Sequence, residues 1–504
     1  MPDHHPSLPG RPVSLWLDTS AETDFPALGE GVEVDVAVVG GGIAGLTAAT
    51  LLKAAGRTVA VIEAGRIAAG VTGHTTAKVT ALHTLIYDHL IRHFGEAKAR
   101  AYGEAQQAAI ELIAALVEKK GIDCDFARTE AYTYTESEEE VPAVEAEARA
   151  ALGLGLPAGY VADLPLPFPA RAAVRFDRQA RFHPRKYLLA LAADLPGNGC
   201  HVFERTRVTE VTPGEPCTVA TDRGHLLARD VIVASHFPFA DKALFASRLQ
   251  PQRSYVLALG LDGPAPAGMF IDTAEAFSLR SQPLPGGGEL VLVTGGGHPA
   301  GEGGDTAARY QRLEQLARSR LPVRSVEYRW STQDNFTLDR VPYIGRTTHH
   351  SRHLYVATGF NGWGMTGGTA AAMVLRDLIL GGGKKYMPDT AAGGGPPAAP
   401  RRARRLLPPR GLGRVCGPLP AEVFGMKRST SPNKPTRIPT SADDEKDEID
   451  ASRPNPAPAP SRQPAAGDAR DNDPEKLKQN REHLNVDDKH KTPDMEKGHR
   501  GTFP

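Results

Sequence analysis

Asp35-Val-Ala-Val-Val-Gly40-Gly-Gly-Ile-Ala-Gly45-Leu46 is the stretch that decides the fold. Val34 to Val39 is a β-branched run of the kind that forms a strand covered on both faces of a parallel sheet. Glycine punctuates its end, and Ile43 to Ala55 carries the apolar spacing of a helix packed on that sheet. Gly56 closes the helix, and Thr58 to Ile62 makes a second buried strand ending in Glu63. The stretch reads as one βαβ unit.

Gly40-x-Gly42-x-x-Gly45 falls between strand and helix, where each glycine has a task. Gly40 permits the tight turn, Gly42 lets the backbone approach a pyrophosphate, and Gly45 lets helix and strand pack closely. The helix start offers orphan N–H groups and partial positive charge to the phosphates. Glu63, about twenty residues on, stands where an acid binds ribose hydroxyls. A glycine triplet alone also fits a plain turn. Strand, glycines, helix, strand and acid in register point to a dinucleotide site.

The totals narrow the class. A chain of 504 residues suggests two cores plus appendages. A formal charge of +0 gives no reason to expect nucleic acid or an anionic membrane as partner. Cys124, Cys200, Cys217 and Cys416 form no Cys-x-x-Cys pair, which argues against a metal site or a disulfide framework and suits a reducing compartment. Met-Pro-Asp-His-His-Pro lacks the basic start and apolar core of a signal peptide. No run of about eighteen apolar residues occurs, so no membrane span is expected. A cytoplasmic location follows as the expectation.

Further along, 96–120 has helical periodicity with Ile110, Leu112, Ile113, Leu116 and Val117 on one side. Short strands are expected around Thr133, an acidic helix near Glu145 and a helix over 182–193. Residues 201–211 read as a strand, 217–221 with 225–228 as a hairpin, and 230–234 as a buried strand. Antiparallel strands are expected in 253–262 and 268–296, a helix over 306–320, strands at 326–330 and 354–357, and a helix over 365–380. Beyond Gly381 the chain turns polar, glycine- and proline-rich, with an arginine block from Arg401 to Arg414 and an acidic one from Asp443 to Asp450. Such a composition buries too little to offset an ordering cost of roughly 1–2 kcal/mol per residue, so 382–504 is expected to be a disordered low-complexity tail.

Two loops decide which dinucleotide is bound. Gly70-Val-Thr-Gly-His74-Thr-Thr-Ala-Lys78 is long, small and hydroxyl-rich, suited to wrapping phosphates and a flat ring. Ala357-Thr-Gly-Phe-Asn-Gly-Trp-Gly-Met-Thr366 follows a strand and opens a helix, and its glycines keep side chains off a planar ring. The helix start is placed to meet the N1–C2=O edge of a flavin, where charge appears on reduction. A glycine-rich turn capping a Rossmann-like strand is the plainer reading of the same residues.

With Phe182-His-Pro-Arg-Lys-Tyr-Leu188, Trp330-Ser-Thr-Gln-Asp334 and Asp339-Arg-Val-Pro-Tyr-Ile-Gly345 in order between these corners, residues 14–382 resemble the D-amino-acid/glycine/sarcosine oxidase superfamily. They look closest to its bacterial branch that carries a C-terminal Rieske domain. The resemblance implies an α/β plus α+β fold: a split Rossmann-type FAD-binding domain (1–82, 171–240 and 325–381) with an antiparallel-sheet substrate domain (83–170 and 241–324). It implies that Gly40, Gly42, Gly45 and Glu63 hold the ADP half and that Val208 meets the adenine through its backbone. Thr72, Gly73, His74, Thr75, Thr76, Gly359, Gly362, Met365 and Thr366 would then surround the flavin. One departure is plain: a Rieske cluster needs Cys-x-His and Cys-x-x-His pairs, and beyond residue 220 there is only Cys416. No resemblance carries into the tail, where Met426 reads as the start of a small hydrophilic protein; a disrupted frame or a fusion is one reading of that break.

The expected activity is removal of hydride from a small amine or amino acid, followed by imine hydrolysis, with oxygen, a quinone or a protein taking the electrons. Such chemistry needs a C–H about 3–3.5 Å from flavin N5 and no acid–base dyad. For an amino-acid substrate an arginine would clamp the carboxylate. Arg253, Arg280 and Arg329 are the alternatives, with Tyr255 and Asn361 beside them; each arginine also fits a surface or ion-paired role. His74 has the spacing of a histidine that bonds covalently to flavin in related dehydrogenases, or it hydrogen-bonds within its loop, leaving the FAD non-covalent. His183 and His236 read as structural. Two competing readings are a nucleoside-modifying flavoenzyme and a catalytically silent flavoprotein or scaffold that binds partners through its tail.

Overall fold

The computed structural model of the chain describes residues 8–29, 31–239, 245–274, 276–348 and 351–381. The tail from 382 onward, with its two charge blocks and Cys416, lies outside these residues. A short helix, α1 (Leu15–Asp18), buries Leu15 and Trp16. The valine run then forms β1 (Glu33–Val39), the glycine corner turns into α2 (Ile43–Ala54), and β2 (Val59–Ile62) returns parallel with Val38 beside Val61. All of β2 is buried, as is β1 from Val36 onward, which is why neither alternates with polar residues.

The chain leaves this unit through a 3-10 turn, Val71–His74, and a two-residue strand, β3 (Lys78–Val79). Helices α3 (Tyr87–Phe94) and α4 (Glu96–Lys120) follow, parted by Gly95 at φ 85°. The second has the bounds read from its periodicity, with Ile110, Leu112, Ile113 and Leu116 buried. Helix α3 had no clear signal. It is held by Glu147, whose buried carboxylate accepts from the amides of Ile86, Tyr87 and Asp88 at 2.8 Å.

Next come β4 (Ala127–Thr135), α5 (Val141–Gly153), β5 (Ala158–Val161), β6 (Ala172–Arg181) and α6 (Pro184–Ala193). The strand expected over 201–211 is two, β7 (His201–Phe203) and β8 (Val208–Thr212), because Arg205 takes φ 50° between them. Conversely, the hairpin arm and buried strand expected separately form one β10 (Gly224–Val233), paired on one side with β9 (Cys217–Thr221). Strands β11 (Leu249–Leu261), β12 (Met269–Asp272), β13 (Phe277–Pro283) and β14 (Glu289–Pro299) lead into α7 (Thr306–Arg320). A long β15 (Val323–Thr337), β16 (Tyr343–Arg346), β17 (Leu354–Thr358) and α8 (Gly364–Ile379) complete the described chain.

Two sheets result. An eight-stranded one runs β16-β17-β10-β1-β2-β7, with β9 on β10 and β8 on β9. A nine-stranded one runs β15-β11-β14-β13-β12-β4-β6-β3, with β5 on β6. The pairing moves the expected domain boundaries. Residues 172–181 and 325–337 are expected in the nucleotide domain, yet β6 pairs with β4 and β15 with β11 in the large sheet. That sheet is antiparallel apart from the parallel pair β12 and β4.

The large sheet has two distinct faces. One carries Tyr255, Leu257, Leu259, Phe277, Leu279, Val291 and Val293 under Tyr310, Leu313 and Ala317 of α7. The other carries Val256, Ala258, Met269, Leu290, Leu292 and Trp330 into the core shared with α2 and α8. This second face looks toward the glycine corners.

Candidate functional site

The first corner is built by close approach. Gly40 sits at φ 113°, and a Cβ on Gly45 would overlap the Gly40 carbonyl, so α2 can meet the strand end only without side chains there. Helix α2 starts at Gly42 with no side-chain cap and no acid in its first turn, leaving its N-terminal dipole open to an anion. Glu63 lies at the lip: its carboxylate accepts from Gly41 N at 2.7 Å and Gly65 N at 2.8 Å, and burial pushes its carboxyl above the usual range. The amide of Thr206 donates to the Glu63 carbonyl at 3.0 Å, which brings buried Val208 beside this acid.

The hydroxyl-rich loop is fixed carbonyl by carbonyl. Ser14 Oγ donates to Gly73 O, Trp330 Nε1 to His74 O at 2.8 Å, Trp16 Nε1 to Thr75 O at 2.6 Å, and Arg280 Nε to Thr76 O. Thr72 Oγ1 accepts from Ile43 N at 3.3 Å, joining the loop to the start of α2. His74 bonds its own turn through Nδ1 to Gly70 O at 2.9 Å.

The second corner closes on the same loop. Gly359 and Gly362 take φ 74° and 82°, and Asn361 takes φ 52°. The Asn361 side chain accepts from Thr337 N at 2.7 Å and donates to Gly359 O at 3.1 Å, so it shapes the corner. Met365 and Thr366 are buried in the first turn of α8, and Thr366 Oγ1 donates to Thr80 O at 2.9 Å. His83 stacks on Trp363 at 4.8 Å and lies 3.2 Å from Thr366 Oγ1. Burial pushes its imidazole down to about 3, so it is neutral, with Nε2–H on Thr80 O and Nδ1 accepting from Tyr102. A histidine in Ala-Leu-His-Thr-Leu gives no sequence signal for this position.

His236, read as structural, stands at the end of β10 with φ 64°, its carbonyl accepting from Asn335 and Thr358. Its buried Nε2 has no partner, and burial pushes the ring down to about 4. Open helix N-termini, side-chain-free corners and such orphaned polar atoms fit a nucleotide with a flat ring.

The substrate-side arginines do not gather there. Arg253 and Tyr255 share a face with Leu257, beneath α7. Arg253 bonds Ser331 at 2.9 Å; Tyr255 OH bonds His298 at 3.0 Å and packs edge-on to Tyr310. Arg329 is on the same face and spends its guanidinium on the carbonyls of Leu8, Pro9 and Gly10. Arg280 alone faces the loop, but it is fully buried, bonded to Thr76 O, Ser281 O, Gln282 Oε1 and Phe182 O, and lies over Trp16. None of the three therefore offers a free guanidinium on the face toward the loop. Strand alternation puts two on the face under α7, and backbone carbonyls with Gln282 Oε1 occupy the third. What the facing side does offer is Thr332 and Asp334.

Among the described residues no group of three or more His, Cys, Asp or Glu could hold a metal ion, and Cys124, Cys200 and Cys217 are buried free thiols. No described helix is long and apolar enough to cross a membrane.

Comparison with known proteins gives the family. A family model described as DAO, FAD dependent oxidoreductase, matches residues 35–378. The putative Rieske 2Fe-2S iron–sulfur protein YhfW of Bacillus subtilis is 40% identical over 370 residues, covering 73% of each chain. Gamma-glutamylputrescine oxidoreductase of Escherichia coli is 25% identical over 71% of this chain and 86% of its own. Among solved structures, glycine oxidase from Geobacillus kaustophilus superposes with TM-score 0.59 at 19% identity, over 70% of this chain and 96% of its own.

Proposed function

The chain belongs to the DAO family of FAD-dependent oxidoreductases, and from that premise we propose that it oxidises a C–N bond of a small amine or amino acid. The observation that carries this reading is the meeting of both glycine corners on one loop. Thr72 bonds the start of α2, Thr80 bonds the start of α8, and Trp330 of the large sheet holds His74 between them. An elongated cofactor laid through that junction has its ADP half at Gly40, Gly42, Gly45, Glu63 and Val208. Its ring lies among Thr72, Gly73, His74, Thr75, Thr76, Gly359, Gly362, Met365 and Thr366.

The bound flavin supplies the hydride acceptor. The protein's part is placement. The start of α8 offers N–H groups and its dipole to the edge of the ring where charge develops. The pinned loop would hold the ring beside the large sheet, so that a substrate on that sheet would meet it at short range. Hydride loss from a neutral amine requires no acid–base dyad. The relative from Escherichia coli named for gamma-glutamylputrescine, itself an amine, supports the substrate class.

The test is anaerobic mixing of the FAD-loaded protein with a panel of primary and secondary amines and amino acids. Bleaching of the flavin, with aldehyde or keto acid released in step, is expected for at least one compound. A flavin that no amine or amino acid bleaches, but that an alcohol or hydroxy acid does, overturns the reading.

A further inference from the structure

Alternation along β15 sorts its side chains. Trp330, which reaches the flavin loop, shares a face with Thr332 and Asp334, whereas Ser331 and Gln333 meet Arg253 on the other. Asp334 stands across from Gln252 of β11 and next to Asn335, whose carbonyl accepts from Asn361 N at 3.3 Å. The second glycine corner is thus bonded to its neighbour in the chain.

The Asp334 side chain is half-buried, with no hydrogen bond or ion pair to a described residue, and desolvation pushes its carboxyl up to about 6. Thr332 Oγ1, two residues earlier on the same face, is buried and has no partner either. A buried hydroxyl left this way costs free energy unless a ligand completes it, and the unpaired carboxylate beside it is open to a cation. No described cation answers the carboxylate. Arg253 and Arg329 are on the opposite face, Arg280 is committed to backbone oxygens and Gln282 Oε1, and Lys78 donates to Phe270 O at 2.6 Å and to Ser278.

We propose that Asp334, assisted by Thr332 Oγ1, is the counter-charge for a positively charged nitrogen of the substrate other than the neutral one that is oxidised, so that the site takes an aliphatic diamine lacking an α-carboxylate. A substrate carboxylate placed here would face a like charge with no free guanidinium to offset it. The assignment rests on the amine-oxidation reading and narrows it to one half of the substrate class.

The test uses the full-length FAD-loaded chain and reads binding, by calorimetry and by perturbation of the flavin absorption band, so that turnover is not needed. The probes are n-butylammonium and 1,4-diaminobutane against acetate and glycine. The ammonium probes are expected to bind better than the carboxylates. Asp334→Asn should weaken them at least about tenfold with flavin content unchanged, and Asp334→Glu should restore part of the loss. Acetate or glycine binding as well as the ammonium probes overturns the assignment. So does an unchanged ammonium affinity in Asp334→Asn, or no ammonium binding at all. Should the Asn variant not fold, Thr332→Val carries the comparison, with selective weakening of the same probes expected and an unchanged affinity counting against. Ammonium binding that depends on Asp334, without bleaching by any amine, would sink the oxidation reading and leave the charge assignment standing.

Discussion

The indole of Trp330 donates to the carbonyl of His74 at 2.8 Å, joining two residues 256 positions apart. It is one of four such clamps: the carbonyls of residues 73 to 76 are each held by a different side chain, from α1, the residue before it, and two strands of the large sheet. The loop against which the flavin ring is proposed to rest is therefore positioned by the substrate sheet as much as by the nucleotide fold.

Replacing Trp330 by Phe keeps most of the ring and removes the donor. An unpaired buried carbonyl costs about 1–3 kcal/mol. The variant should melt earlier and lose FAD more readily on gel filtration, while the flavin-loaded fraction keeps its turnover. Retention equal to the parent would show that the clamp does not set the loop.

Gly45→Ala addresses the first corner. Its Cβ would overlap the carbonyl of Gly40, so strand and helix must part. The expected protein folds poorly or is colourless, because the amides at the start of α2 no longer reach the pyrophosphate together. A stable yellow variant would contradict that packing.

Arg329 and Arg253 lie on the α7 face of the sheet. Lysine at either should leave the substrate KM unchanged. Loss of the bonds from Arg329 to the carbonyls of residues 8 to 10 should loosen the N-terminal segment, which hydrogen exchange would detect. A large rise in KM from either substitution would return the clamp to them.

Asp334 makes a pH-dependent contribution to stability whose sign is fixed by its raised carboxyl, about 6 in the folded chain against about 3.9 unfolded. The folded state favours the neutral acid. That favour is fully present below the unfolded value and is lost as pH rises through 6. Asp334→Asn, which cannot ionise, should therefore melt later than the parent near pH 8, by on the order of 2 kcal/mol, and hardly differ near pH 4. Melting curves of both proteins across this range check it; a difference that does not grow with pH would mean the carboxylate is solvated or paired.

His74 holds Gly70 O through Nδ1 within its own turn. Acid precipitation is expected to leave the yellow colour in the supernatant, with the FAD held without a covalent bond. Colour in the pellet that is lost in His74→Ala would show a covalent link.

The glycine corners and the helix over 96–120 were legible because their signals are local: a β-branched run, glycines at a fixed spacing, and apolar residues recurring with the helical period. The reach of β15 was not. Its sequence from Val323 to Thr337 mixes Arg, Glu, Ser, Gln, Asp and Asn, and only the pairing with β11 reveals which residue faces the flavin loop. Carboxylate binding favours an arginine there, but alternation puts Thr332 and Asp334 on that face. Likewise His83 acquires its place from Trp363 and Thr366, nearly three hundred residues away in sequence. Sites assembled across a sheet break the local rules by which single elements are read.

The most direct test of the whole account is the visible absorption spectrum of the purified full-length chain, before and after soaking with FAD. The blue-light band of bound oxidised flavin, stoichiometric with the chain and lost in Gly45→Ala, is the predicted result. Protein that is colourless as isolated and stays so after soaking would contradict it.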